Sequence, residues 1–205
     1  MKKLKFIAIM MILAGSFSCQ KEGDPLHEET DFYYGKEEGE GHNHRIYFTV
    51  RKDKLIVKCE SETDAKALTK QAIFSSAYEL DYWVLGTIDP KKTKLDDLLK
   101  MPKVVSATYG LDDSKGSFYY PTDRIAVKLK DEYTLEEVID TIGLSKHIVA
   151  IDLFDPHSEV YVITFDVKLG DILRISCMLF ETELCEFAAP SFIMELKHPN
   201  PNINH

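Results

Sequence analysis

The order strand, helix, strand, strand, helix, strand can be read twice along this chain. It predicts an α+β protein of two ferredoxin-like (βαββαβ) subdomains in tandem, each an antiparallel sheet with helices on one face. Three observations carry the prediction. Residues 124–130 alternate, with Ile125, Val127 and Leu129 on one side, the period of a half-buried strand. Thr134 followed by Glu137 forms a capping box ahead of Leu135, Val138, Ile139 and Ile142 at helical spacing. The two halves also close alike, with Val105-Ser106-Ala107-Thr108 and Glu186-Phe187-Ala188-Ala189 each following a short helix.

Residues 19–44 read as a flexible acidic tether. They hold Pro25, Gly35, Gly39 and Gly41 among many acids, with Phe32-Tyr33-Tyr34 almost the only apolar material. Such a segment buries too little surface to offset its ordering entropy. The first subdomain and its linker occupy 45–121. Residues 47–58 supply a strand through Leu55-Ile56-Val57, and Ser61 and Asp64 cap a short helix with Ala65 and Leu68. Residues 72–78 and 82–88 form a hairpin around Glu79-Leu80-Asp81. Leu95, Leu98 and Leu99 mark a second helix stopped by Pro102, and 103–109 is the closing strand.

The second subdomain occupies 122–196. After the capped helix, Gly143 is placed as its C-terminal cap. Residues 147–154 and 159–165 are strands around the turn Asp155-Pro156-His157-Ser158. Residues 168–180 are helical, with Ile172, Ile175 and Leu179 on one side, and 184–196 hold a last strand interrupted by Pro190. The open sheet faces of such units need polar residues or a partner. Residues 197–205 are an extended tail.

The first residues carry an address. Met1-Lys2-Lys3-Leu4-Lys5 is basic, and 6–15 is apolar and uncharged. That run is shorter than the roughly 20 residues that cross a bilayer, so 1–18 read as a secretory signal. Ser16-Phe17-Ser18-Cys19 resembles a bacterial lipoprotein cleavage site, which makes Cys19 the lipidated residue. The expected location is the outer membrane or cell surface, with membrane contact through that lipid. Removing 1–18 takes away three of 25 basic residues and none of 34 acids, moving net charge from −9 to −12. An acidic chain lacks the basic face that nucleic acid requires, so none is expected as a partner. Cys59, Cys177 and Cys185 remain; a Cys177–Cys185 bridge is conceivable, and buried thiols are the simpler reading.

Catalytic signatures are lacking. There is no phosphate-cradling glycine pattern, no Gly-x-Ser-x-Gly and no His-Glu-x-x-His. His42-Asn43-His44 and His27 sit in the tether, where two spaced histidines hold metals weakly, and His147 and His157 lack cysteine partners at metal-site spacing. The pairs Asp96-Asp97, Asp112-Asp113 and Glu136-Glu137 are sequence neighbours, which do not face each other on a helix. Tyr82-Trp83 and Phe118-Tyr119-Tyr120 could stack on a sugar or peptide, and strand and core packing is the simpler account. The chain is therefore expected to be no enzyme, with no cofactor and no metal.

Several stretches together resemble the N-terminal pro-region of secreted Gram-negative subtilisin-like serine proteases. They are Phe32-Tyr33-Tyr34 followed by Lys54-Leu55-Ile56-Val57, the stretch from Lys103 through Phe118-Tyr119-Tyr120-Pro121 to Leu129, and the ending Ala188-Ala189-Pro190-Ser191-Phe192. The likeness spans about residues 31–196, without the Asp, His and Ser motifs of a catalytic domain. It implies a binding activity, as inhibitor or folding helper of a subtilisin-like protease. In that family the open sheet face packs on the enzyme and the C-terminal strand lies in the substrate cleft. The matching contact residues are Phe192, Ile193, Met194, Glu195 and Leu196, continued by the tail. A surface adhesion lipoprotein with the same fold, or a remnant of a protease that lost its catalytic domain, are the alternatives.

Overall fold

The computed structural model describes residues 30–35, 44–113, 117–155, 157, 159–167 and 171–196. The signal segment 1–18, Cys19, His27, His42, Pro156, Ser158, residues 168–170 and the tail 197–205 lie outside them. The elements are β1 (Thr30–Gly35), β2 (His44–Cys59), α1 (Glu62–Leu68), β3 (Phe74–Leu80), β4 (Trp83–Ile88), α2 (Leu95–Leu98) and β5 (Val104–Asp112). There follow β6 (Ser117–Leu129), α3 (Leu135–Ile142), a 3-10 turn at Ser145–His147, β7 (Ile148–Asp155), β8 (Val160–Phe165), α4 (Ile172–Glu181) and β9 (Cys185–Leu196).

The expected fold class is overturned. Among the described residues all nine strands belong to one large, curled antiparallel sheet, and the structure is mostly β, not two ferredoxin-like subdomains in tandem. The strand path is β3-β4-β2-β5-β6-β8-β7, with β1 on β2 and β9 on β6. The cause lies in two long strands. The first part of β2 pairs with β1, and its second part pairs with β4. Likewise β6 pairs with β9 along most of its length and with β8 only from Arg124 onward. Both bend at irregularities, β2 between Arg51 and Leu55 and β6 between Pro121 and Ile125. Such bulges re-aim a strand, so one strand serves two stretches of sheet. Within the stretch 110–121, expected as the linker, β5 pairs with β6 and so joins the halves, through Leu111↔Tyr119 and Asp112↔Phe118.

A second correction concerns the tether. Within 19–44, Thr30–Gly35 is a strand paired with β2 from Thr49 to His44. Its aromatics supply the apolar area that the acidic composition hides. Tyr34 stacks on Phe180 of α4 at 4.7 Å, and Tyr33 stacks on Phe48 at 5.9 Å.

Local expectations about the helices hold. Thr134 and Glu137 close the capping box of α3, and Gly143 ends it in the left-handed conformation at φ 66°. Pro190 does not interrupt β9. It sits at Ile125, beside the β6 irregularity, where a missing ladder donor is tolerated. Cys59, Cys177 and Cys185 are buried thiols that form no disulfide among the described residues.

Four apolar clusters hold the molecule. In the first half, Leu55, Val57 and Val84 pack under α1 and α2 with Ala65, Leu68 and Leu98. In the second, Ile125, Val127, Ile163 and Phe165 pack under α3 and α4 with Val138, Ile172, Ile175 and Leu179. A third cluster joins Ile56, Trp83 and Leu85 to Tyr120, Phe118 and Ile193. The fourth joins Phe48, Leu111 and Leu173 to Tyr33, Tyr119 and Phe192.

Candidate functional site

Each half has a sheet face turned away from its helices, and the two faces meet different fates. In the first half, alternation sends Leu55 and Val57 to the helices and Ile56 to the other side. That side is sealed by the chain itself, through Tyr120 and Phe118 of β6 and Ile193 of β9. Leu55, Ile56 and Val57 are all fully buried.

In the second half, Ile125, Val127, Ile163, Phe165 and Ala188 face the helices. Ala126, Val162 and Ala189 lie in register across the opposite face. Lys128 there aligns with Val160 and Phe187, and Arg124 with Thr164. The apolar members are half-buried and belong to none of the four clusters. The face is flat at its centre, because Ala126 and Ala189 carry only methyl groups. Charge borders it: Arg124 is exposed, and Lys128 meets Glu186 at 2.6 Å.

These residues were missed in the sequence, although a signal was present. Val160-Tyr161-Val162-Ile163 is an unbroken apolar run, as is Phe187-Ala188-Ala189. Unbroken runs belong to strands covered on both faces, whereas alternation marks strands covered on one. Leu55-Ile56-Val57 obeys this rule within the chain. The second half carries the same kind of run, with the apolar residues of one face half-buried and outside the four clusters.

The expected contact residues occupy the C-terminal part of β9. Phe192, Ile193, Met194, Glu195 and Leu196 pair with Pro121, Tyr120, Tyr119, Phe118 and Ser117. Phe192 packs among Tyr33, Phe48 and Tyr119 at 5.5–5.8 Å. Glu195 accepts a hydrogen bond from the Tyr120 hydroxyl at 2.7 Å and lies 3.7 Å from Lys54 Nζ. Burial, with the Glu195 hydrogen bond, pushes the Tyr120 hydroxyl well above its ordinary pKa. Met194 is exposed. These residues thus serve the sheet, and placing them in a cleft would strip them from β6.

The other singled-out residues have local duties. Trp83 and Tyr120 are core, Glu137 caps α3, Asp112 meets Arg51 at 3.2 Å, and Asp113 accepts the Ser117 N–H at 3.2 Å. A shallow groove between β5 and α4 is lined by Ser106, His147, Asp166, Asp171 and Arg174 among others. The 2.7 Å bond between Asp166 and His147 there is main-chain to main-chain, so it orients no imidazole. His157 is exposed on the β7–β8 connection. The chain matches no family model, no curated protein and no solved structure.

Proposed function

We propose that this chain is a lipid-anchored binding protein that docks the open face of its second half on a partner protein. The observation that carries the reading is the contrast between the two faces. Ile56 is sealed by Tyr120 and Ile193, while Ala126, Val162, Phe187 and Ala189 stay half-buried and join none of the four apolar clusters. A flat apolar sheet bordered by charge accepts a helix pair or a second sheet. The resemblance to protease pro-regions supports a subtilisin-like serine protease as partner, which the chain inhibits or helps to fold. Lipid on Cys19 holds it at the outer membrane or cell surface.

The test is a titration of the chain lacking residues 1–19 against a panel of subtilisin-like proteases. Inhibition or accelerated refolding is expected, and Val162→Glu and Ala126→Arg weaken it at least tenfold while circular dichroism is unchanged. Removing residues 197–205 separates a tail contribution from that of the face. Degradation of the chain without inhibition or refolding sinks the protease reading. Cys19→Ser in the whole precursor is expected to abolish fatty-acid labelling and move the protein out of the membrane fraction.

A further inference from the structure

The sheet divides where its two halves meet. β9 accompanies β6 along both of its parts, so β5 and β8 must share the other edge of β6. β5 holds that edge only through Leu111↔Tyr119 and Asp112↔Phe118, and β8 holds it from Arg124 onward. From Val104 to Gly110, β5 keeps β2 on one side and has no strand partner on the other among the described residues. The groove between β5 and α4 opens at this division. Its volume of about 590 Å³ falls within the range of about 300–1,000 Å³ usual for ligand sites. Val105 and Ser106 line it from the first half, and all its other lining residues come from the second.

The lining is partly apolar. Val105 is 47 % exposed, and Leu144 and Val167 are half-buried in the same groove. Two of its polar side chains are unused by the fold. Asp166 and His147 are joined through their main chains, while the carboxylate and the imidazole make no hydrogen bond or ion pair among the described residues. Asp171 and Arg174 lie 3.9 Å apart and offset each other. The Asp166 carboxylate is the charge left over.

We propose that this groove takes up an extended peptide as an added strand on β5, with a basic side chain of that peptide set against Asp166. An unpaired strand edge recognises main chain, and the side chains beside it select the sequence. Here the edge is the part of β5 that β6 leaves, Asp166 supplies the charge, and Val105 offers apolar contact to a neighbouring residue of the peptide. The site lies on the side of the sheet that carries α4, away from the open face of the second half, and does not rest on the proposed function.

The experiment uses the full chain, extracted in mild detergent, and a fluorescein-labelled, end-blocked heptapeptide of alternating valine and threonine with a central arginine. Anisotropy is expected to show saturable binding below about 1 mM. A central glutamate is expected to bind about tenfold more weakly. Asp166→Asn, at an exposed position, is expected to leave the circular dichroism intact and remove most of that preference. Successive N–H groups of a strand point to opposite edges, so N-methylation of one alternate set of peptide residues is expected to abolish binding and of the other set to spare it. No saturable binding of the arginine peptide overturns the inference. So does equal affinity for the glutamate peptide, a preference that survives Asp166→Asn, or indifference to N-methylation in both sets, which would leave charge attraction without an added strand.

Discussion

Lys58 Nζ lies 2.6 Å from an Asp123 carboxylate oxygen, and that ion pair bridges the two halves of the molecule. Asp123 is 2 % exposed and sits at the β6 bend, while Lys58 comes from the sealed face of β2. The second carboxylate oxygen of Asp123 has no hydrogen-bond partner among the described residues. Removing the cation leaves a buried charge uncompensated, which costs about 3–5 kcal/mol. Lys58→Met is therefore expected to cost about that much in urea denaturation. Asp123→Ala is expected to cost less, because the partly exposed Lys58 side chain can turn to water. The double variant Lys58→Met/Asp123→Leu recovers most of the loss.

Phe192 is the hub of the ring cluster that binds β9 to β1, β2 and β6. Phe192→Ala removes contacts with Tyr33, Phe48 and Tyr119 together. A loss of about 3 kcal/mol is expected, the lower end for a large ring deleted from a core. Phe192→Leu keeps part of that apolar volume and is expected to lose less, measured by the same denaturation midpoint.

Gly86 lies directly beneath the Phe74 ring, and a Cβ there would overlap Phe74 Cδ1 and Cε1. Gly86→Ala is expected to cost about 1–3 kcal/mol by overpacking. Adding Phe74→Leu relieves the clash, so the pair of substitutions is less damaging than the sum of the two alone. Thermal melting of the four proteins checks this.

Burial pushes the thiols of Cys59 and Cys185 up to about 11, from an ordinary 9.0. The unfolded chain gives up these protons first, so folded molecules hold more of them between those values. Their contribution to stability is complete below pH 9 and is lost as pH rises toward 11. The urea midpoint is expected to fall across that window, and less steeply in Cys59→Ala/Cys185→Ala.

Features set by neighbours in sequence were legible before the structure. Thr134, Glu137 and Gly143 bound α3 as read, because capping is a matter of three or four residues. The continuity of the sheet was not legible. Residues 47–58 read as a strand and lie in β2, but nothing in Arg51-Lys52-Asp53-Lys54 announces the register shift there that lets β2 serve two stretches of sheet. Nor does composition reveal β1, since its stabilising partners lie far along the chain: the Cys177 thiol hydrogen-bonds the Phe32 carbonyl across 145 positions. The candidate face was half legible, in that the apolar run at 160–163 announces two-sided burial without saying that one side is only half-buried.

Tyr33 and Phe192 touch at 5.6 Å although one belongs to the first strand and the other to the last. A chain emerging in order from its N-terminus cannot make this closure until its final strand has arrived. Until then Ile56 and Trp83 lack the Ile193 lid, and Phe48 lacks the ring that completes its cluster. Contacts this distant are slow to form, because a loop of nearly the whole domain must close first. The arrangement defers the native closure of both clusters until the last strand has been made, so the two ends of the sheet are completed together.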